Sequence, residues 1–167
     1  MRNADRLQPS LLERLTDHAP DATREGREHR ASSARAHRKS VMRDLGWLLN
    51  AQGIASAQDI ARHPGVADSV LNFGFADLAG KSASNLDVAR IERLMTEAII
   101  AFEPRIVSGT LRVRAIQSDD AAIQHNALAF IVEGDLHAHP VPERLYLRTE
   151  FDLEAGKASV FEGTLQR

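Results

Sequence analysis

The chain has 167 residues, enough for one domain of ordinary size that buries roughly 70% of the surface its unfolded chain exposes. Hydrophobic residues make up 43% and charged residues 26%, which is globular usage, and a formal net charge of -2 supplies no global positive field to collect phosphate polymers. Cysteine is absent, which excludes disulfides, thiolate zinc sites and cysteine nucleophiles, and with no run near the roughly 20 apolar residues of a membrane span and no signal-peptide stretch in Met1 to Asp17, the expected compartment is cytoplasmic.

Charge is unevenly placed. Residues 1–40 hold nine Lys+Arg against six acids, residues 41–85 three against four, and residues 86–167 nine against thirteen, so the head is basic and the tail acidic. Near the start, Pro9-Ser10-Leu11-Leu12-Glu13-Arg14-Leu15 reads as a short helix that Ser10 caps over Glu13, with Leu11, Leu12 and Leu15 as an apolar stripe. Residues 1–20 form an N-terminal helical hook on this reading, either folded back on the body or presented to a partner. Between Asp21 and Ser40 there is no Val, Ile, Leu, Met, Phe, Trp or Tyr, so residues 21–39 are expected to be a polar, mobile linker or a solvated helix.

From Ser40 the pattern is helical: Val41, Leu45, Leu48 and Leu49 repeat at i, i+4, i+7 and i+8, and Gly53 stands beyond as a stop. Arg43 and Trp47 share another face, where the guanidinium can lie on the indole. A short helix spans Ser56 to Arg62 until His63-Pro64-Gly65 breaks it, and Ser69 to Phe75 reads as a turn of helix followed by packed coil. The clearest helix follows Ser84, which with Asp87 makes an S-x-x-D capping box. Val88, Ile91, Leu94, Met95, Ala98, Ile99 and Phe102 line one of its faces, and Pro104 ends it.

Beyond Pro104 the period switches to two. Leu111, Val113 and Ala115, then Leu128, Phe130 and Val132, then Leu145, Leu147, Thr149 and Phe151 alternate with polar or outward residues, and a fourth strand covers Ala158 to Glu162. Helices segregated before a meander predict an α+β fold: N-terminal helices, then a roughly four-stranded, mainly antiparallel sheet with the long helix packed on one face.

The common nucleotide-binding, hydrolase and zinc-protease motifs are absent. His137-Ala138-His139 has a spacing a metal could use, but without a third ligand it reads as surface histidine, and neither a metal nor a cofactor is expected. The remaining constellation is Phe102-Glu103-Pro104-Arg105-Ile106. A carboxylate at a helix C-terminus meets the negative end of the dipole, so Glu103 needs a cationic partner. Arg105, a partner chain or both could supply it, and spacing alone leaves a local ion pair and an interaction site equally open. Taken as an exposed pair worth about 0–1 kcal/mol to folding, Glu103-Pro104-Arg105 is expected to govern assembly rather than stability. As an enzyme, the chain would be a peptidoglycan glycosidase with Glu103 as general acid and Asp135 or Glu150 as second carboxylate. The adjacent Arg works against that role, since a general acid must stay protonated near neutral pH.

These residues occur in an order that resembles a known family. Pro9-Ser10-Leu11-Leu12-x-Arg14-Leu15 is followed by Ser40-Val41-Met42-Arg43-Asp44-Leu45 with Leu48-Leu49-Asn50. Then come Pro64-x-Val66-x-x-Ser69-Val70-Leu71-Asn72-Phe73-Gly74 with Asp77-Leu78-x-Gly80, and Phe102-Glu103-Pro104-Arg105-Ile106. Glu133-Gly134-x-Leu136 and Leu147-Arg148-Thr149-Glu150-x-Asp152-Leu153 complete the set. The set resembles the TssE baseplate subunits of type VI secretion systems, in the gene-25-like family of contractile-phage baseplate wedge proteins, which also carries a lysozyme-like label. The resemblance implies a cytoplasmic, non-catalytic subunit with residues 40–167 as the family domain. It would join baseplate wedge partners to the contractile sheath and help start sheath assembly, with Glu103, Pro104 and Arg105 at subunit contacts and Leu11, Leu12 and Leu15 on the hook. No nucleic acid, membrane insertion or small-molecule substrate is implied. Two positions depart from the family pattern: His137 stands where relatives carry an aromatic, and Phe73 where they often carry Tyr.

Overall fold

The computed structural model describes residues 10–16, 34–75, 78, 86–116, 127–138 and 141–163. Within them helices precede strands: α1 (Leu11–Leu15), α2 (Ala34–Asn50), α3 (Ala57–Arg62), α4 (Val88–Phe102), then β1 (Arg112–Ile116), β2 (Ala127–Leu136), β3 (Glu143–Asp152) and β4 (Lys157–Glu162). Single 3-10 turns lie at Pro64–Val66, Val70–Asn72 and Ser108–Thr110. The strands form one antiparallel meander in the order β1-β2-β3-β4, the α+β arrangement that the two periods predict.

The capping box read at Ser10 and Glu13 forms, the two bonding reciprocally in α1, and a second, which the sequence reading did not name, joins Ser56 and Asp59 in α3. Two helix starts differ from expectation. α4 begins at Val88, capped by Asp87, whose carboxylate accepts from the Arg90 N–H at 3.0 Å; Ser84 lies outside the described residues. α2 begins at Ala34, well before the apolar period becomes readable. Polar side chains hold its first turns by tertiary contacts. His37 is buried, and Arg38 reaches Glu143 of β3 at 2.6 Å, Glu162 of β4 at 3.2 Å and the Arg144 carbonyl at 2.6 Å. Of the expected linker 21–39, residues 21–33 lie outside the described residues.

One face of the sheet carries the core. Phe130, Val132, Leu136, Leu145, Leu147 and Phe151 are buried there, against Val41, Leu45 and Leu48 of α2 and Ile91, Met95 and Ile99 of α4. α4 lies over β1 and α2 over β4, so two helices share the face expected for the long one. Each also pins a sheet edge. The Asn50 amide at the end of α2 donates to the Ala158 carbonyl at 2.8 Å and accepts from the Ala158 N–H at 2.9 Å, as a neighbouring strand would. Across the sheet, the Glu92 carboxylate of α4 accepts from the Ala115 N–H of β1 at 2.6 Å.

The irregular segment between α3 and α4 is fastened by Asn72, Phe73 and Gly74. The Asn72 amide accepts from the Ala55 N–H at 3.1 Å and donates to the Ala67 carbonyl at 3.0 Å. Phe73 stands edge-on to Phe102, centroids 5.4 Å apart. Gly74 has φ 149°, and a Cβ there would meet the Gly53 nitrogen at 2.4 Å; only glycine lets this strand-like crossing press on the end of α2. Phe75 then donates its N–H to the Ala51 carbonyl at 2.8 Å. Among the described residues no helix is long and apolar enough to cross a membrane.

Candidate functional site

The Glu103-Pro104-Arg105-Ile106 segment is a four-residue turn closed by the Ile106 N–H on the Glu103 carbonyl at 3.2 Å. Proline ends α4, because it can neither donate nor continue the helix, and its fixed φ suits the first inner position of such a turn. After the turn the chain runs beside the end of β2. The His137 N–H donates to the Arg105 carbonyl and the Val107 N–H to the Asp135 carbonyl, both at 2.8 Å, around an Ile106–Leu136 bridge. Gly134 makes the room, since a Cβ there would lie 3.1 Å from the Ile106 side chain.

That geometry aims the Arg105 guanidinium inward. Its Nε donates to Glu103 Oε1 at 2.6 Å, and Nη2 donates to Glu103 Oε2 and to Asp44 Oδ2, the latter at 2.6 Å. Nη1 donates to Ser40 Oγ at 3.0 Å, and the Ser40 hydroxyl in turn donates to the His37 carbonyl at 2.9 Å. Asp44 also accepts from Arg43 Nε at 2.8 Å, and the Arg43 guanidinium carbon sits 5.0 Å from the Trp47 ring centroid. Two carboxylates and two guanidinium groups thus balance in one chain from the helix end to an exposed indole. Burial tends to lower the Arg105 pKa, but the bonds from Glu103 and Asp44 outweigh it and raise it.

The expectation of an exposed pair is corrected here. Glu103 is only 3% exposed and the Arg105 side chain 23%, because the turn folds the arginine back under α2. Pro104 alone of the three is fully on the outside. Asp44 and Ser40 complete the clasp, and sequence reasoning did not connect them to it. They stood in the motif list, but nothing in their spacing shows that they meet a residue sixty positions away.

The other candidates lie apart from the clasp. On α1, Leu11, Leu12 and Leu15 are exposed and the helix buries none of its residues. Asp135 and Glu150 point from the sheet face opposite the helices, held by Arg144 at 3.3 Å and Arg148 at 2.7 Å, so neither shares a cleft with Glu103. A cleft of about 40 Å³ between Leu49, Phe75, Phe151 and Asp152 falls far short of the roughly 300 Å³ or more of a ligand pocket. His137 is exposed, and His139 lies outside the described residues. Among the described residues no group of three or more His, Asp and Glu is placed to hold a metal ion.

A family model described as baseplate wedge protein gp25 matches residues 35–141, well over half of the chain. No curated protein and no solved structure matches.

Two outcomes follow from the clasp. Glu103→Ala leaves Arg105 half-served in a largely buried setting, a loss of about 2–3 kcal/mol, or a Tm lower by roughly 5–10 °C for a chain of this size. Thermal unfolding of the purified variant measures it, and an unchanged Tm would show the bond to be idle. His37 is buried with its Nε2 unpartnered. Burial, then the Arg105 guanidinium, lowers its pKa, against the opposing pull of Glu103, Glu13 and Glu143. A depressed folded-state pKa means that the unfolded chain takes the proton first. His37 therefore contributes stability that is complete above about pH 6.5 and is lost as pH falls through the lowered value. Tm should decline across that window in the native protein and decline less in His37→Gln; equal slopes would assign the effect to another group.

Proposed function

Because the chain belongs to the baseplate wedge protein gp25 family, its role is a structural one in a baseplate, and within that role we propose that it is a TssE-type subunit of a type VI secretion baseplate. It acts in the cytoplasm as an adaptor between wedge partners and the contractile sheath and helps initiate sheath assembly. The observation that carries this reading is α1. A helix of five residues is far too short to persist on its own, and all three of its leucines are exposed, between 41 and 75%. A stripe left exposed among the described residues calls for cover from a wedge partner.

The clasp takes the second part. Glu103 holds Arg105 from behind, and the outer rim of the turn, Pro104 and the open side of Arg105, meets the neighbouring subunit. A partner contact there is sensitive to the clasp because any loosening of Arg105 moves the rim. The glycosidase alternative fits the geometry poorly: both Glu103 oxygens are engaged by Arg105, and Asp135 and Glu150 stand on the far face of the sheet.

Replacing Leu12 and Leu15 of α1 by Asp should leave the Tm of the isolated chain unchanged and abolish its capture by co-expressed wedge subunits. Undiminished capture would end the hook's part in the reading. The purified chain should also leave peptidoglycan suspensions turbid; clearing that disappears in Glu103→Gln, with the fold retained, would establish the enzyme instead.

A further inference from the structure

The sheet face turned away from the helices has a composition that neither the wedge reading nor the clasp uses. β1, β2 and β3 contribute Arg112, Arg114, Arg144 and Arg148 to it, and β4 contributes Lys157, although residues 86–167 as a whole carry four more acids than bases. In the strand register Arg114, Ile131, Arg148 and Phe161 form one row across all four strands, and Arg112, Glu133 and Tyr146 form the next. Arg114 is 69% and Arg144 53% exposed, and Phe161 is exposed beside them.

The acids on this face are engaged. Glu133 is held by Arg114 and by Arg144 at 3.1 Å, Asp135 by Arg144 and Glu150 by Arg148, Asp152 accepts from the Glu154 and Ala155 N–H groups of the turn after β3 at 2.9 Å, and the hydrogen bond from Arg114 first among these contacts lowers the Glu133 pKa. Donors remain in excess. Among the described residues Arg112 reaches the carbonyls of Gly109 and Leu111 alone, and Arg148 Nε is buried without an acceptor. Each guanidinium carries five N–H groups in a fixed fork, so what the face lacks is carboxylate oxygen.

We propose that this outer sheet face docks an acidic segment of a partner protein, whose carboxylates bridge the Arg114–Arg148 row while an apolar side chain rests on Phe161. Four arginines with Tyr146 and Phe161, and a single lysine at the start of β4, approach the composition of the centre of a protein interface. A phosphate polymer fits less well, because Glu133, Asp135 and Glu150 interrupt the cations at every step and would repel a uniformly charged backbone. A polypeptide can space its carboxylates to the arginines and leave the acids clear.

The test is direct titration of the full chain with fluorescent poly-L-glutamate, with duplex DNA as the competing class. The expected result is salt-sensitive binding of polyglutamate in preference to DNA, with a shifted Arg148 Nε–H resonance. Arg114→Ala with Arg148→Ala should weaken it about tenfold or more, while Arg148→Lys, which keeps charge but not the fork, lies between. Absence of binding to the native chain, equal binding by the double variant with its fold intact, or DNA bound as tightly as polyglutamate would each overturn the proposal.

Discussion

One guanidinium group ties this fold together. Arg105 leaves α4, passes a proline turn, and returns to hold both oxygens of the carboxylate it has just passed, together with Asp44 and Ser40 of α2. Its backbone meanwhile joins the end of β2. Two helices and the sheet therefore share a single side chain as reference point, and their relative placement cannot change without breaking charged hydrogen bonds in a largely dry setting. Lysine could not substitute, because it lacks the planar fork that serves three acceptors in different directions. Glu103, unfavourable where it stands at the negative end of a helix dipole, is explained by this arrangement.

Legibility in the sequence followed the range of the cause. The capping box at Ser10, the apolar faces of α2 and α4, and the alternation of the four strands all arise within a few residues, and they read correctly. The early start of α2 did not. Its first turns contain Arg35, His37, Arg38 and Lys39, which score as solvated, yet His37 is buried and Arg38 is bound to strands more than a hundred positions away. The clasp was half legible: Glu103 and Arg105 stood out, but two residues of opposite charge flanking a proline look the same whether they face water or a helix. Only Asp44, Ser40 and the closing turn decide, and these are tertiary facts. The Ser84 and Asp87 spacing matched a capping box that would start the helix directly after Ser84, whereas α4 starts at Val88 with Asp87 as its N-cap.

Family membership gives this economy a context. A subunit that must hold a shape while other chains pull on several of its surfaces benefits from a rigid internal joint and separate outward features. The leucines of α1, the exposed Pro104 and the arginine row of the outer sheet face occupy distinct regions. The Arg43–Trp47 stack links the interior joint to a fourth surface feature through Asp44.

The side chains that pin the two outer strands bear on the crowded period before any partner arrives. An open strand margin invites pairing with another copy, and such pairing grows with the number of consecutive free rungs. Asn50 occupies both backbone groups of Ala158, and Glu92 occupies the N–H of Ala115. With every second residue facing outward, the free run left among the described residues of β4 is Val160 and Glu162, and on the five residues of β1 it is shorter still. A newly made chain thus offers its siblings only a short ladder to climb along these stretches.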